Sequence, residues 1–147
     1  MRGMTPIVQC ISRLMAPSIF LLGVYVVLHG HLTPGGGFAG GVLIAGAFVL
    51  QILAFGSDER RSRALNWNAT VFESLGLSLF WFLAVLGLIV GVPFFVNVIT
   101  KSNPGLPYRL FSAGIIPLCN VAIGIEVAAG LFFVFMCLAV LKMGEKP

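Results

Sequence analysis

The stretch His29-Gly-His-Leu-Thr-Pro-Gly-Gly-Gly-Phe-Ala-Gly-Gly41 separates two long apolar runs, and its reading decides the fold. The first run ends at Leu28, and Phe38 already opens the second. Pro34 fixes φ, while Gly35, Gly36 and Gly37 tolerate positive φ, so the chain is expected to reverse sharply here. Gly37, Gly41 and Ala45 then follow a small-xxx-small spacing, which prepares the second run for close backbone contact with another helix. Pro34, Gly35, Gly36, Gly37, Gly40 and Gly41 are accordingly read as a structural motif, a tight turn leading into a packing face.

The composition sets the environment. Of 147 residues, 59% are hydrophobic and only 10% charged, with a mean hydropathy of +1.04. A soluble domain of this size needs more charge to cover its surface. Several apolar runs approach twenty residues, so the chain reads as an integral membrane protein. The net charge of +4 does not point to nucleic acid, because the basic residues sit between apolar spans rather than in one patch. Cys10, Cys119 and Cys137 lack metal-type spacing and read as small apolar fillers. The N-terminal run has no small-residue cleavage site and is expected to be a span rather than a signal peptide.

The expected fold is all-α, a polytopic membrane domain over 1–147 with four transmembrane helices at about 7–28, 37–55, 71–92 and 115–141. Pro17 either kinks the first helix or separates an interfacial turn from the spanning part. The link 57–70, with Asp58, Glu59, Arg60, Arg61 and Arg63, reads as a solvated loop, with Trp67 as an interfacial anchor. Thr70-Val-Phe-Glu73 has the form of a capping box opening the third span, which gives Glu73 a place at a helix start. Pro93 ends or bends that span, and 94–99 either extends it or lies at the interface. Ser102-Asn-Pro-Gly-Leu-Pro107 reads as a second turn-rich loop. Pro117 belongs in the first turn of the fourth span, where a missing N–H matters little.

Four spans place both termini and the 57–70 link on one side. That side holds Arg2, Arg13, Arg60, Arg61, Arg63, Lys142 and Lys146, against Lys101 and Arg109 opposite. The positive-inside rule then puts both termini in the cytoplasm and the 29–41 turn outside.

Glu126 is the leading candidate for chemistry. It lies eleven residues past Ile115, about 16 Å along the helix and near the middle of the bilayer. A central acidic residue is unfavourable by roughly 2.5–3.5 kcal/mol on insertion scales, so its presence asks for a reason. Cys119, Ala122, Gly130 and Phe133 share its face, which suits a neighbouring helix or a narrow hydrated cleft. The residue is either a proton- or cation-handling carboxylate or a neutral, hydrogen-bonded glutamic acid joining helices. Glu73, His29 and His31 are further candidates for an ion or proton path. The His-x-His pair lacks a third ligand, so no metal site is expected, and the rings are expected to cap the first span or hold the turn. The glycine-rich turn lacks the lysine and Ser/Thr of a nucleotide-binding loop. No nucleophile–base pair or cofactor motif is present, so no cofactor and no catalytic residue are expected, and the chain does not read as an enzyme by itself.

The thirteen residues of the opening stretch resemble the signature of the MnhB (MrpB) family, small membrane subunits of multi-subunit sodium/proton antiporters, with relatives in energy-converting membrane-bound hydrogenases. Asn120-Val-Ala-Ile-Gly-Ile-Glu126-Val-Ala-Ala-Gly-Leu also looks like that family's last helix. The resemblance covers about residues 22–141, with a departure at Ala39, where the family pattern has a polar residue. It implies a multi-pass subunit of a prokaryotic cell membrane, partnered by other antiporter subunits and, in redox-driven complexes, by hydrogenase or related subunits.

Polar stations within the chain are too few for a complete path across about 30 Å of hydrocarbon. The reading is therefore a non-catalytic subunit that scaffolds an antiporter module and lines part of a route. One alternative is a small homodimeric proton-coupled transporter that uses Glu126 from both copies. Another is an assembly factor with no ion role.

Overall fold

The computed structural model describes residues 3–32, 34–56, 59–97, 99–100 and 113–144, without the side chains of 59–66 and 140–144. Four helices follow one another: α1 (Pro6–His29), α2 (Gly37–Phe55), α3 (Glu59–Ile89) and α4 (Ile116–Gly144). Each contains a stretch long and apolar enough to cross a membrane: Pro6–His29, Gly37–Phe55, Trp67–Ile89 and Ile116–Ala139. No strand occurs among the described residues.

Helix α1 starts with Pro6 in its first turn, where the ring pre-sets φ. It continues through Pro17, and Ser18 Oγ returns a hydrogen bond to the Leu14 carbonyl at 3.2 Å. Helix α2 runs from Gly37 to Phe55 without interruption and ends at Gly56, where φ is +76°.

Helix α3 departs from the sequence reading. It begins at Glu59, so the link expected as a solvated loop is helical from that residue onward. The segment Glu-Arg-Arg-Ser-Arg-Ala-Leu contains neither proline nor glycine and is rich in strong helix formers, so nothing stops the helix there. Its 31 residues span about 46 Å, and the apolar stretch begins only at Trp67. The capping box at Thr70 does not form, because Thr70 lies inside the helix and its carbonyl accepts from Ser74 Oγ at 2.9 Å.

Beyond Ile89 the chain turns at Gly91 (φ +77°) and folds back. The Phe95 amide donates to the Ala84 carbonyl at 3.1 Å, and the Phe95 ring packs on Phe80 with centroids 5.6 Å apart. Residues 94–97 thus double back along α3 instead of extending it. Asn97 then holds the start of α4: Nδ2 donates to the Ala113 carbonyl at 2.8 Å, and Oδ1 accepts from the Ile115 and Thr100 amides at 3.3 and 3.2 Å. The expected loop at 102–107, with Lys101 and Arg109, lies outside the described residues.

The helices pack in the order α3–α4–α2–α1, with a lesser contact of α1 on α4. Small residues set these contacts, because lipid provides no hydrophobic drive for helix association. Gly40 faces α1, where an added Cβ would lie 2.7 Å from the Gly23 carbonyl oxygen. Gly41 faces α4, where a Cβ would lie 2.8 Å from the Gly124 carbonyl oxygen. The face expected from Gly37, Gly41 and Ala45 is buried, and the first two meet α4. Gly40, one residue off that face, serves α1. Ala69 of α3 packs with Phe132 and Met136 of α4, all buried, and Val49 and Ile52 of α2 pack against them. Helices α1 and α3 leave an apolar groove between them.

Candidate functional site in the seam between the third and fourth helices

Glu73 and Glu126, the two acidic residues within the apolar stretches of α3 and α4, both lie on the seam between these helices. Gly76 on α3 sits against the backbone of Glu126: a Cβ there would lie 2.7 Å from the Glu126 amide nitrogen and 2.9 Å from the Ala122 carbonyl oxygen. One turn along the antiparallel pair, the Glu73 carboxylate overlies Gly130, whose added Cβ would stand 3.4 Å from Glu73 Oε1. Glu73 and Gly76 are three residues apart, and Glu126 and Gly130 four, so the two acids are about one turn, or roughly 5 Å of rise, apart along the seam. Both are half-buried.

Glu73 is therefore not at a helix start. It lies fourteen residues into α3 and six past Trp67, within the apolar stretch. Each acid is followed by a glycine about one turn further on, and the missing side chains let the two helices approach closely there. That acid–glycine spacing, present once in each helix, is the sequence signal for the pairing that the linear reading missed.

The histidines belong to the other end of the bundle. His29 Nδ1 lies 3.1 Å from the Tyr25 carbonyl, which can only accept, so the ring carries its proton on Nδ1. The same ring stacks on Tyr25 with centroids 4.2 Å apart. His31 is half-buried in the turn, where the Leu32 amide donates to the His29 carbonyl at 2.8 Å. Gly35 and Gly36 take φ of +147° and +98° and make the reversal. Asn120 on α4 seats this turn, with Nδ2 3.0 Å from a Cβ placed on Gly30 and Oδ1 3.7 Å from one placed on Gly36. A Cβ on Gly37 would strike the Asn120 carbonyl oxygen. Asn120 is thus the residue that ties the glycine motif to the last helix. Among the described residues no group of three or more His, Cys, Asp or Glu side chains could hold a metal ion.

The fold is thus an all-helical chain with four apolar spans and two acidic residues on one helix seam. Residues 7–133 match the family model described as a domain related to the MnhB subunit of Na+/H+ antiporter. The chain belongs to the MnhB family, and with its four apolar helices it is a multi-pass membrane protein of a prokaryote.

Among its relatives, the uncharacterised protein MJ1307 of Methanocaldococcus jannaschii is 39% identical over 135 residues, covering 86% of this chain and 49% of that protein. A candidate antiporter subunit, mnhB2, of Staphylococcus aureus strain Newman is 33% identical over 84 residues, covering 57% of this chain and 51% of its own length. A chain of the membrane-bound sulfane sulfur reductase, an archaeal respiratory membrane complex, superposes with a TM-score of 0.74 at 33% identity. That match covers 91% of this chain and 57% of the other. The chain spans about half the length of the relatives it matches.

Proposed function

We propose that this chain is a non-catalytic subunit of a multi-subunit cation/proton antiporter module. The module either stands alone or is built into a redox-driven respiratory complex, as the likeness to the sulfane sulfur reductase chain suggests. The chain scaffolds its neighbours through glycine-lined helix faces, and the α3–α4 seam lines part of an ion or proton route.

The observation that carries this reading is the position of Glu73 over Gly130, one turn from Glu126 and inside the apolar spans. Acidic side chains within apolar spans are costly and ask for a reason, and two of them about one turn apart on one seam supply two stations for a proton or a monovalent cation. Both remain half-exposed at the surface of the bundle, so a neighbouring subunit covers them and supplies further polar stations. The histidines His29 and His31, at the opposite end from the first turns of α3, are assigned to the outer mouth by the positive-inside rule, with both termini in the cytoplasm.

The test is purification of the tagged chain from native membranes in mild detergent, followed by identification of its partners and reconstitution of the assembly. Large antiporter-type subunits should co-purify, and Glu126→Gln should leave the assembly intact while lowering ion-coupled transport tenfold or more. A lone homodimer would replace this reading with the small-transporter alternative. A Glu126→Gln assembly that transports normally would leave only the scaffold.

A further inference from the structure

The layer of four helices does not close between α1 and α3, and the groove left there has a volume of about 540 Å3. Phe20 and Val24 of α1 form one wall, Phe72 of α3 the other, and Phe48 and Phe132 reach its floor from α2 and α4. Asn68 is the single strongly polar residue in the lining. It precedes Ala69, which packs on Phe132, whereas Phe48 makes edge contacts with both Phe132 (6.1 Å) and Phe20 (5.9 Å). These contacts set Asn68 at the height of Phe20, toward the end where α3 enters its apolar stretch at Trp67.

Beyond that end stands Arg13. It is seven residues before Phe20 and eleven before Val24, so all three share one face of α1, and it lies about 10 Å along the helix from Phe20. Its guanidinium lies over the Phe55 ring, 5.2 Å from the centroid, which draws it across the groove-side end of α2. Among the described residues no carboxylate pairs with it. The groove is therefore a slot of aromatic and aliphatic side chains, and the cation on the same face of α1 is Arg13, about 10 Å along the helix beyond Phe20.

That distribution complements an anionic amphiphile. Basic pockets between transmembrane helices bind acidic lipid headgroups by the same logic. We infer that the groove between α1 and α3 holds one anionic phospholipid, its phosphate on Arg13, its backbone ester region beside Asn68 and an acyl chain along Phe20, Phe48 and Phe72. The lipid fills the gap that the helix order α3–α4–α2–α1 leaves open and so braces α1 against α3.

The experiment uses the whole assembly purified in mild detergent, with native mass spectrometry reading phosphatidylglycerol retained per copy of this chain and phosphatidylcholine as the neutral control. The wild type should retain one phosphatidylglycerol per copy and exchange phosphatidylcholine freely. Arg13→Gln should weaken phosphatidylglycerol retention about tenfold or more, and Arg13→Lys should keep most of it. Ala128→Phe, which fills the groove without touching the cation, should also expel the lipid. Equal retention of the two lipids, or retention unchanged in Arg13→Gln, would overturn the inference. So would a chemical cross-link in native membranes from Asn68→Cys to a helix of another subunit, because the groove would then be protein-filled.

Discussion

Gly76 rests on the backbone of Glu126, with room for a hydrogen and none for a methyl group. The obstacle is the amide nitrogen of Glu126 and the carbonyl oxygen of Ala122, neither of which can swing aside as a side chain can. Because α3 packs chiefly on α4, this one contact sets the spacing of the helix that carries Glu73.

Gly76→Ala should therefore push α3 away from α4 and destabilise the chain by about 1–3 kcal/mol, the usual range for overpacking. Gly46, exposed on α2 with nothing within 4 Å of an added Cβ, is the control, and Gly46→Ala should be neutral or slightly stabilising. Thermal unfolding of the detergent-solubilised assembly, followed by loss of this subunit, measures both. Equal midpoints for the two variants would show that the seam is looser than the contact implies.

Gly130→Ala separates packing from chemistry. Its Cβ would reach 3.4 Å from Glu73 Oε1, a tight contact with a side chain that can move. The fold should survive with less than about 1 kcal/mol of loss, since surface-like changes away from backbone clashes are small. The carboxylate of Glu73, however, gives by a few tenths of an ångström away from Gly130. If the two acids act together, transport by the reconstituted assembly should fall several-fold in Gly130→Ala and further in Glu73→Gln. Full activity in both would remove Glu73 from the route.

How much of this was legible beforehand depends on which physical signal each feature uses. The spans α1, α2 and α4 follow from apolar runs bounded by Pro34 and the glycines, and the packing face of α2 follows from the spacing of Gly37 and Gly41. The start of α3 was misplaced because charge was taken as a sign of loop. Glu59, Arg60, Arg61 and Arg63 favour helix whether or not a membrane surrounds them, and the apolar boundary at Trp67 is not a helix boundary. That error carried Glu73 to the wrong place, at a helix cap instead of in the seam. The seam itself depends on which helices are neighbours, a tertiary fact, although the glycine one turn after each acid was available as a hint. Asn120 gave no warning either, because its partners Gly30 and Gly36 lie some ninety residues away and offer only space.

That space makes a prediction. Asn120→Leu has a similar bulk but a different shape, and its branch must fit between Gly30 and Gly36. It should loosen the 29–41 turn and cost about 1–3 kcal/mol, the range for a misfitting side chain in a packed site. Hydrogen exchange at the Leu32 and Gly40 amides, which donate to His29 and Gly36, reports on the turn directly. Unchanged protection there would mean that the glycines alone hold the reversal.

The last clasp is at the opposite side of α4, where Asn97 uses both ends of its amide. Nδ2 donates to the Ala113 carbonyl, and Oδ1 accepts from the Ile115 and Thr100 amides, so one side chain fixes both the return of the chain and the first turn of α4. Gly114, between the two bonded residues, has φ of +64° and lies against the Asn97 amide and Thr100 Oγ1, which leaves no room for a Cβ. Asn97→Asp retains the two acceptor bonds but sets an oxygen in place of the donor against the Ala113 carbonyl, whereas Asn97→Ala loses all three bonds. At about 1 kcal/mol per bond, Asn97→Ala should cost about 3 kcal/mol, and Asn97→Asp about 2, one bond together with the oxygen–oxygen repulsion. The distinguishing measurement is hydrogen exchange at the Thr100 and Ile115 amides, which should stay protected in Asn97→Asp and open in Asn97→Ala. Because Ile115 leads directly into the helix that bears Glu126, Asn97→Ala should also lower transport while Asn97→Asp spares it. Loss of transport in both variants, with amide protection intact, would place Asn97 itself on the ion route and not merely at the hinge of α4.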